Sequence, residues 1–292
     1  MKKSDAFSGF HPLVNMLYFV LAIGCSFAFL HPVCLGISLA CALAYMLLQE
    51  GVRALRFVLT FLLPMLLLTA AINPLFSHEG VTTLFYLPGG NPITLESIFF
   101  GNAAACRLAA VVVWFRCYTA MMTSDKFVYL FGRVIPALSL VISMALRFVP
   151  RFTAQMKAAA QAQRGIGRDI SQGSLLQRAR HGVRILSITV TWALENAVET
   201  ADSMKSRGYG LPGRSAFSIF KFDKRDRFAL LYILLCGGYV ITGAALGGLR
   251  WLYYPQTGGA WTGGSFSVFA VYLAFLALPL ILNRKEAAQW KS

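Results

Sequence analysis

Charged side chains are scarce in this chain, at 13% of its 292 residues, against roughly 25% in soluble domains. With 57% hydrophobic residues, that scarcity excludes an ordinary soluble enzyme and makes the chain an integral membrane protein. Acids are scarcer than bases, 12 Asp and Glu against 27 Lys and Arg. None of the acids lies deep in an apolar run, which argues against a proton relay or an intramembrane ion site. No Gly-x-x-x-x-Gly-Lys phosphate loop is present, so ATP hydrolysis by that route is excluded. The four histidines, His11, His31, His78 and His181, are scattered without metal-ligand spacing, and no Cys-x-x-Cys pair occurs. Cys25, Cys34, Cys41, Cys106, Cys117 and Cys236 lie in or at the edges of apolar runs and read as small buried hydrophobes. The chain therefore reads as a non-enzyme with no cofactor and no metal site.

Positive charge is also unevenly placed. Ser77 to Ser97 contains no Lys or Arg, whereas residues 124–227 hold 17 of the 27. That is the positive-inside pattern, with the basic block in the cytoplasm. No stacking aromatics interleave with those bases, so nucleic acid is not the expected partner. Six apolar runs read as membrane spans: Leu13–Leu30, Val33–Leu48, a third ending at Phe76, about Ser97–Met122, Phe228–Leu246 and Phe266–Leu282. Met1-Lys2-Lys3 lacks a convincing cleavage site downstream, so the first span is expected to be retained. Six spans put both termini and residues 124–227 in the cytoplasm. Pro88-Gly89-Gly90-Asn91-Pro92 marks a turn in an external loop with hairpin character. Arg107 and Arg116 fall inside the fourth span, nine residues and so half a turn apart in azimuth, and cannot form one ring of charge. A seventh span over Phe127–Val149 would strand most of the basic block outside; the charge rule makes that segment an interfacial or cytoplasm-facing helix.

The expected fold is an all-α integral membrane protein of about six transmembrane helices plus a region of long amphipathic helices. Residues 1–123 carry the first four spans, 124–213 the amphipathic helices, and 214–292 a basic linker and the last spans. Within 124–213 two long runs each finish on an Arg-Gly pair. The first opens at Thr123-Ser124-Asp125 and closes at Arg164-Gly165; the second opens at Ser174 and closes at Arg207-Gly208, with Pro212 beyond. Val134, Leu138, Val141, Ala145, Phe148, Phe152, Met156 and Ala159 form a narrow stripe on the first run. Ala179, Val183, Leu186, Val190, Ala193, Ala197, Ala201 and Met204 repeat its spacing on the second. Of these, Val134, Leu138, Val141, Phe148, Val183, Leu186, Val190 and Ala197 are expected to pack helix on helix or against a partner. Unbroken, Ser174 to Arg207 would extend about 50 Å; Gly182 is a candidate break, and Pro136 and Pro150 are candidate bends in the first run.

Together these residues resemble the transmembrane T component of energy-coupling factor (ECF) transporters. The resemblance runs through His11-Pro12, Asn73-Pro74-Leu75-Phe76, Ser124-Asp125-Lys126 and Arg147-Phe148-Val149-Pro150. Its most specific part is Ala201-Asp202-Ser203-Met204-Lys205-Ser206-Arg207-Gly208-Tyr209-Gly210. The family pattern is Ala-Arg-Gly, and here Gln163 and Ser206 precede the arginines. The resemblance implies a cytoplasmic coupling domain in a bacterial or archaeal cell membrane. It also implies that Arg164, Gly165, Arg207 and Gly208 dock on two ABC-type ATPase subunits, while helix faces and spans hold a small substrate-binding S component for vitamin or metal uptake. In physical terms, a guanidinium at a helix end can fork onto a carboxylate, and the following glycine lets two backbones approach. Two rivals differ in class. A self-sufficient ABC permease would need a polar path among the spans, and a membrane-embedded enzyme acting on lipid or peptide would need converging acid, base or metal groups.

Overall fold

The computed structural model describes residues 6–77, 79–86, 92–134, 136–209, 211, 220–259, 261 and 263–289; side chains 132–139 and 285–289 are outside the description. The chain forms two compact units, one from residues 1–123 with 220–292 and the other from 124–219.

The first unit begins with two helices that start alike. At His11-Pro12 and His31-Pro32 the histidine Nδ1 accepts the N–H two residues on (3.2 and 3.3 Å), and proline occupies the first helical position, where no N–H is needed. These start α1 (Pro12–Ala28) and α2 (Pro32–Glu50). Next come α3 (Val52–Phe57), a π-helical turn (Val58–Leu62) and α4 (Leu63–Phe76). The widened turn falls just before Pro64, whose ring would collide with the carbonyl four residues back; the Leu63 N–H reaches the Val58 carbonyl instead. A short antiparallel hairpin, β1 (Thr83–Tyr86) with β2 (Pro92–Thr94), leads into α5 (Leu95–Met121). After the second unit follow α9 (Lys224–Ala245), α10 (Gly263–Leu276) and α11 (Leu278–Gln289).

Pro32–Glu50, Val52–Phe76, Leu95–Met121 and Lys224–Ala245 are each long and apolar enough to cross a membrane. The pair α10 and α11, bent by 48°, makes a fifth candidate, and α1 is a shorter apolar helix of 17 residues at the expected first span. The bend lies beside Pro279, which removes a helical N–H.

Aromatic side chains fill the core. Trp114, Tyr18, Tyr45, Tyr272, Phe19 and Phe275 are fully buried, with edge-to-face contacts, as between Tyr18 and Trp114 at 6.0 Å, and tilted ones, as between Tyr45 and Trp114 at 6.4 Å. Burying polar groups at that depth demands partners, and a directed chain supplies them. The Trp114 Nε1–H donates to Ser38 Oγ (3.1 Å), Ser38 lies 2.6 Å from Ser26 Oγ, and Ser26 donates to the Ala22 carbonyl (2.6 Å). Ser38→Ala orphans the indole N–H and is expected to cost about 1–3 kcal/mol, read as a lowered melting temperature in detergent; unchanged melting would mean the chain of bonds contributes nothing. Helices also approach closely where side chains vanish: a Cβ added at Gly101 of α5 would lie 2.7 Å from the Ala70 carbonyl of α4.

Arg116 is paired. It forks onto Glu50 at the end of α2 (2.7 Å and 3.0 Å) and lies 4.0 Å from the Phe57 ring centroid, while Arg107 sits 5.1 Å from the Phe27 centroid. Both arginines therefore have structural contacts within the unit. At another edge of the unit the chain before α1 is clasped by α9 and α11: Asp226, almost fully buried, accepts the His11 N–H (3.1 Å), Arg225 donates to the Gly9 carbonyl (2.9 Å), and Asn283 accepts the Ala6 N–H (2.7 Å).

Candidate partner-docking site

The second unit holds α6 (Ser124–Val134), α7 (Pro136–Gly165) and α8 (Leu175–Ser206). The first amphipathic run is thus two helices, with Pro136 opening the second because its fixed φ and missing N–H suit a first turn. Pro150 lies within continuous α7. Gly182 does not break α8, which runs unbroken for 32 residues; a Cβ there would meet open space. A capping box starts α8, with Ser174 and Gln177 exchanging side-chain-to-backbone bonds (3.4 and 3.1 Å).

The two Arg-Gly ends differ in register. At the end of α8, Gly208 has φ 75; its N–H bonds the Lys205 carbonyl (3.0 Å), and the Tyr209 N–H bonds Met204 (3.1 Å). This pair of bonds is a Schellman cap, with Arg207 immediately before the left-handed glycine. At the end of α7 the same cap is built two residues later relative to the arginine, on Gly167 (φ 76), whose N–H bonds the Arg164 carbonyl (3.0 Å) while the Arg168 N–H bonds that of Gln163 (2.9 Å). Gly165 is therefore the last helical residue and not the capping one, and Arg164 lies in the final turn.

Their surroundings differ as well. Arg164 donates from Nε to Asp169 Oδ2 (2.7 Å) across the connecting loop, and Asp169 Oδ1 accepts the Ser171 N–H (3.0 Å). The Ser171 N–H first, then Arg164, hold the Asp169 carboxyl down to about 2. The charged form that makes these bonds persists through the neutral range, and its contribution is lost only as pH falls through that value. Arg178 ties the loop further by donating to the Ile170 carbonyl (2.8 Å). Arg207 is exposed and makes no ion pair or side-chain hydrogen bond among the described residues.

Helix contact in this unit comes from a different side of α8 than the apolar spacing indicates. Ile185 and Thr189 are buried, and Trp192 meets Phe152 of α7 edge to face at 5.9 Å, with the Arg151 guanidinium 5.4 Å from the Trp192 centroid. Thr189, Asn196 and Thr200 turn their donors onto carbonyls four residues back (2.9, 3.0 and 2.6 Å), which lets a partly polar face pack without orphaned donors. On α7, Phe148 is half-buried and stacks on Phe152 at 5.7 Å, and Ala159 is buried, whereas Val141 is exposed. Val183, Leu186 and Val190 are 66%, 53% and 49% exposed, and Ala197 is exposed too, so these four do not form the α7–α8 contact. Their stripe, continued by Leu194, lies about 120° around α8 from the packed face. The side chains of Val134 and Leu138 lie outside the described residues.

Comparison with known proteins follows the same lines. Residues 10–218 match the protein family described as CbiQ, cobalt transport protein. The chain is 36% identical over 105 residues to the energy-coupling factor transporter transmembrane protein EcfT of Lactobacillus helveticus, a match covering 36% of this chain and 38% of that relative. It is 28% identical over 204 residues to EcfT 1 of Listeria monocytogenes, covering 66% of this chain and 73% of the relative. A putative ABC transporter ATP-binding protein of Bifidobacterium longum is 28% identical over 216 residues, 68% of this chain and 26% of that protein.

Proposed function

Starting from the fact that the chain belongs to the CbiQ cobalt transport protein family and is an EcfT-like transmembrane component of ECF transporters, we propose that it couples two ABC-type ATPase subunits to a substrate-binding S component. The observation that carries this reading is the pair of arginine-bearing helix ends on α7 and α8, with an apolar stripe left open along α8. A rigid end with a projecting guanidinium transmits force and recognises a carboxylate or carbonyl; a long apolar stripe grips a second partner. The chain is then a coupler and not itself an enzyme, and the choice of vitamin or metal cargo belongs to the S component. The Bifidobacterium relative, named as ATP-binding, is in keeping with an ATPase partner.

Gentle extraction followed by mass measurement of the intact complex tests the proposal. Two bound ATPases and a separate small membrane protein are expected. Absence of ATPases would sink the coupling role, and a transporting complex without the small membrane protein would make the chain a self-sufficient permease.

Orientation carries its own prediction. With residues 124–227 cytoplasmic, Ser77→Cys in a cysteine-free background should react with an impermeant thiol reagent on intact cells, and Ser171→Cys only after permeabilisation. The reverse pattern would invert the topology.

A further inference from the structure

Within the first unit, the early turns of α2 and α5 and the segment after α9 enclose a cavity of about 360 Å³. Its floor is Leu35, Ala103 and Tyr253, all buried, and Phe99, Asn102 and Thr257 stand exposed at its mouth. The lining carries no charged side chain. Its polar atoms are largely spent within the wall: the Tyr253 hydroxyl donates to the Leu30 carbonyl (2.7 Å) and Asn102 Nδ2 to the Ile98 carbonyl (3.1 Å). A site for a polar or charged small molecule needs converging polar groups, and this one offers almost none. Water gains little in such a cavity, which needs two to four polar partners per molecule.

The opening also lies on membrane-crossing helices. Pro32, Leu35 and Gly36 are on α2, and Phe99 to Cys106 run along α5, both of which are long and apolar enough to cross a bilayer. Exposed Pro32, Gly36 and Phe99 open the cavity onto the outer surface of these helices, the surface that would meet lipid in a bilayer. Trp251 and Tyr253 on its wall are the residue types of the interfacial belt. From Phe99 to Cys106 the wall descends about 10 Å along the helix, from that belt into hydrocarbon depth. We propose that this cavity holds one acyl chain of a phospholipid from the leaflet on the side where α2 and α5 begin.

Gly36 supplies the means of testing it, because a Cβ there meets nothing within 4 Å. Gly36→Phe projects a ring toward the cavity from a helix that gains propensity by losing glycine. The full chain is reconstituted in nanodiscs with phosphatidylcholine carrying a diazirine on its acyl chain, irradiated, and mapped by peptide mass spectrometry. Adducts should be several-fold enriched on residues 32–36, 99–106 and 251–257 over Val52–Phe76, whose exposed Leu67 and Leu68 report ordinary surrounding lipid. Gly36→Phe should abolish the enrichment without lowering the melting temperature. Thr257→Trp, at the exposed mouth and outside any helix, should reduce it independently should Gly36→Phe fail to fold. Equal labelling of the cavity and Val52–Phe76, or enrichment untouched by the folded variants, would show surrounding lipid only and overturn the proposal.

Discussion

Arg207→Glu is expected to lower recovery of the ATPase subunits by orders of magnitude, with substrate uptake falling alongside. Arg207 sits directly before the left-handed Gly208, is exposed, and forms no ion pair among the described residues. Asp202 lies five residues back, some 140° around the helix, and is no natural partner. The guanidinium is thus presented at a capped helix end, and under the coupling proposal it reaches a carboxylate or carbonyl on an ATPase subunit. Reversing its charge would put like charges together in a partly desolvated contact, where the loss is several kcal/mol. Arg164→Glu should act similarly on the other ATPase, but that residue already holds Asp169, so its reversal also sets two acids against each other within the loop. Arg207 is the cleaner test. Pull-down of both ATPases with uptake measured in parallel decides it; the chain should still insert, and an isolated S component should still bind its substrate. Wild-type recovery and uptake would mean that Arg207 serves only its own helix end.

Local features were legible in the sequence, and azimuths were not. Ser174, Gly208 and the prolines at positions 12 and 32 announce helix ends because capping depends on residues within one turn of the end, whereas Pro136, expected only to bend the first run, opens a separate helix. Apolar periodicity marks a stripe along α8 for helix packing or for a partner, and the α7 contact uses another side of the helix. Thr189, Asn196 and Thr200 look polar in a sequence, yet each returns its donor to its own helix and packs as a hydrophobe would. Gly165-Ile166-Gly167 reads as a C-terminal cap, but two glycines separated by one residue fit the same motif, and the structure builds the cap on Gly167. Partners distant along the chain left no signal. Glu50 is 66 residues from Arg116, and nothing in either neighbourhood joins them. Asp169, by contrast, stands five residues from Arg164 and is the only acid in the sequence between α7 and α8, so a local pair is available to it. The π turn before Pro64 is a third case: proline signals a disturbance, but the backbone chooses among kinking, breaking and widening according to what packs around it.

Val190→Asp separates a face that partners cover from one that the chain covers itself. Val190 is 49% exposed, in line with Val183, Leu186 and Leu194 on α8. At 32 residues that helix extends about 48 Å, and an apolar stripe of such length is costly to leave in water. If the S component covers it, an aspartate at the centre of the stripe becomes a buried charge without a counter-ion and should cost several kcal/mol of assembly. In the chain alone the same aspartate stays at an exposed position, where substitutions shift stability by about 0.5 kcal/mol or less. The expected pattern is therefore unchanged yield and melting of the isolated chain with sharply reduced recovery of the full complex. Ile185→Asp is the control, because Ile185 is 3% exposed on the packed side of α8 and its replacement should damage the isolated chain first. Normal complex yield from Val190→Asp would leave the stripe without a partner, and the S component would then have to be held by the spans.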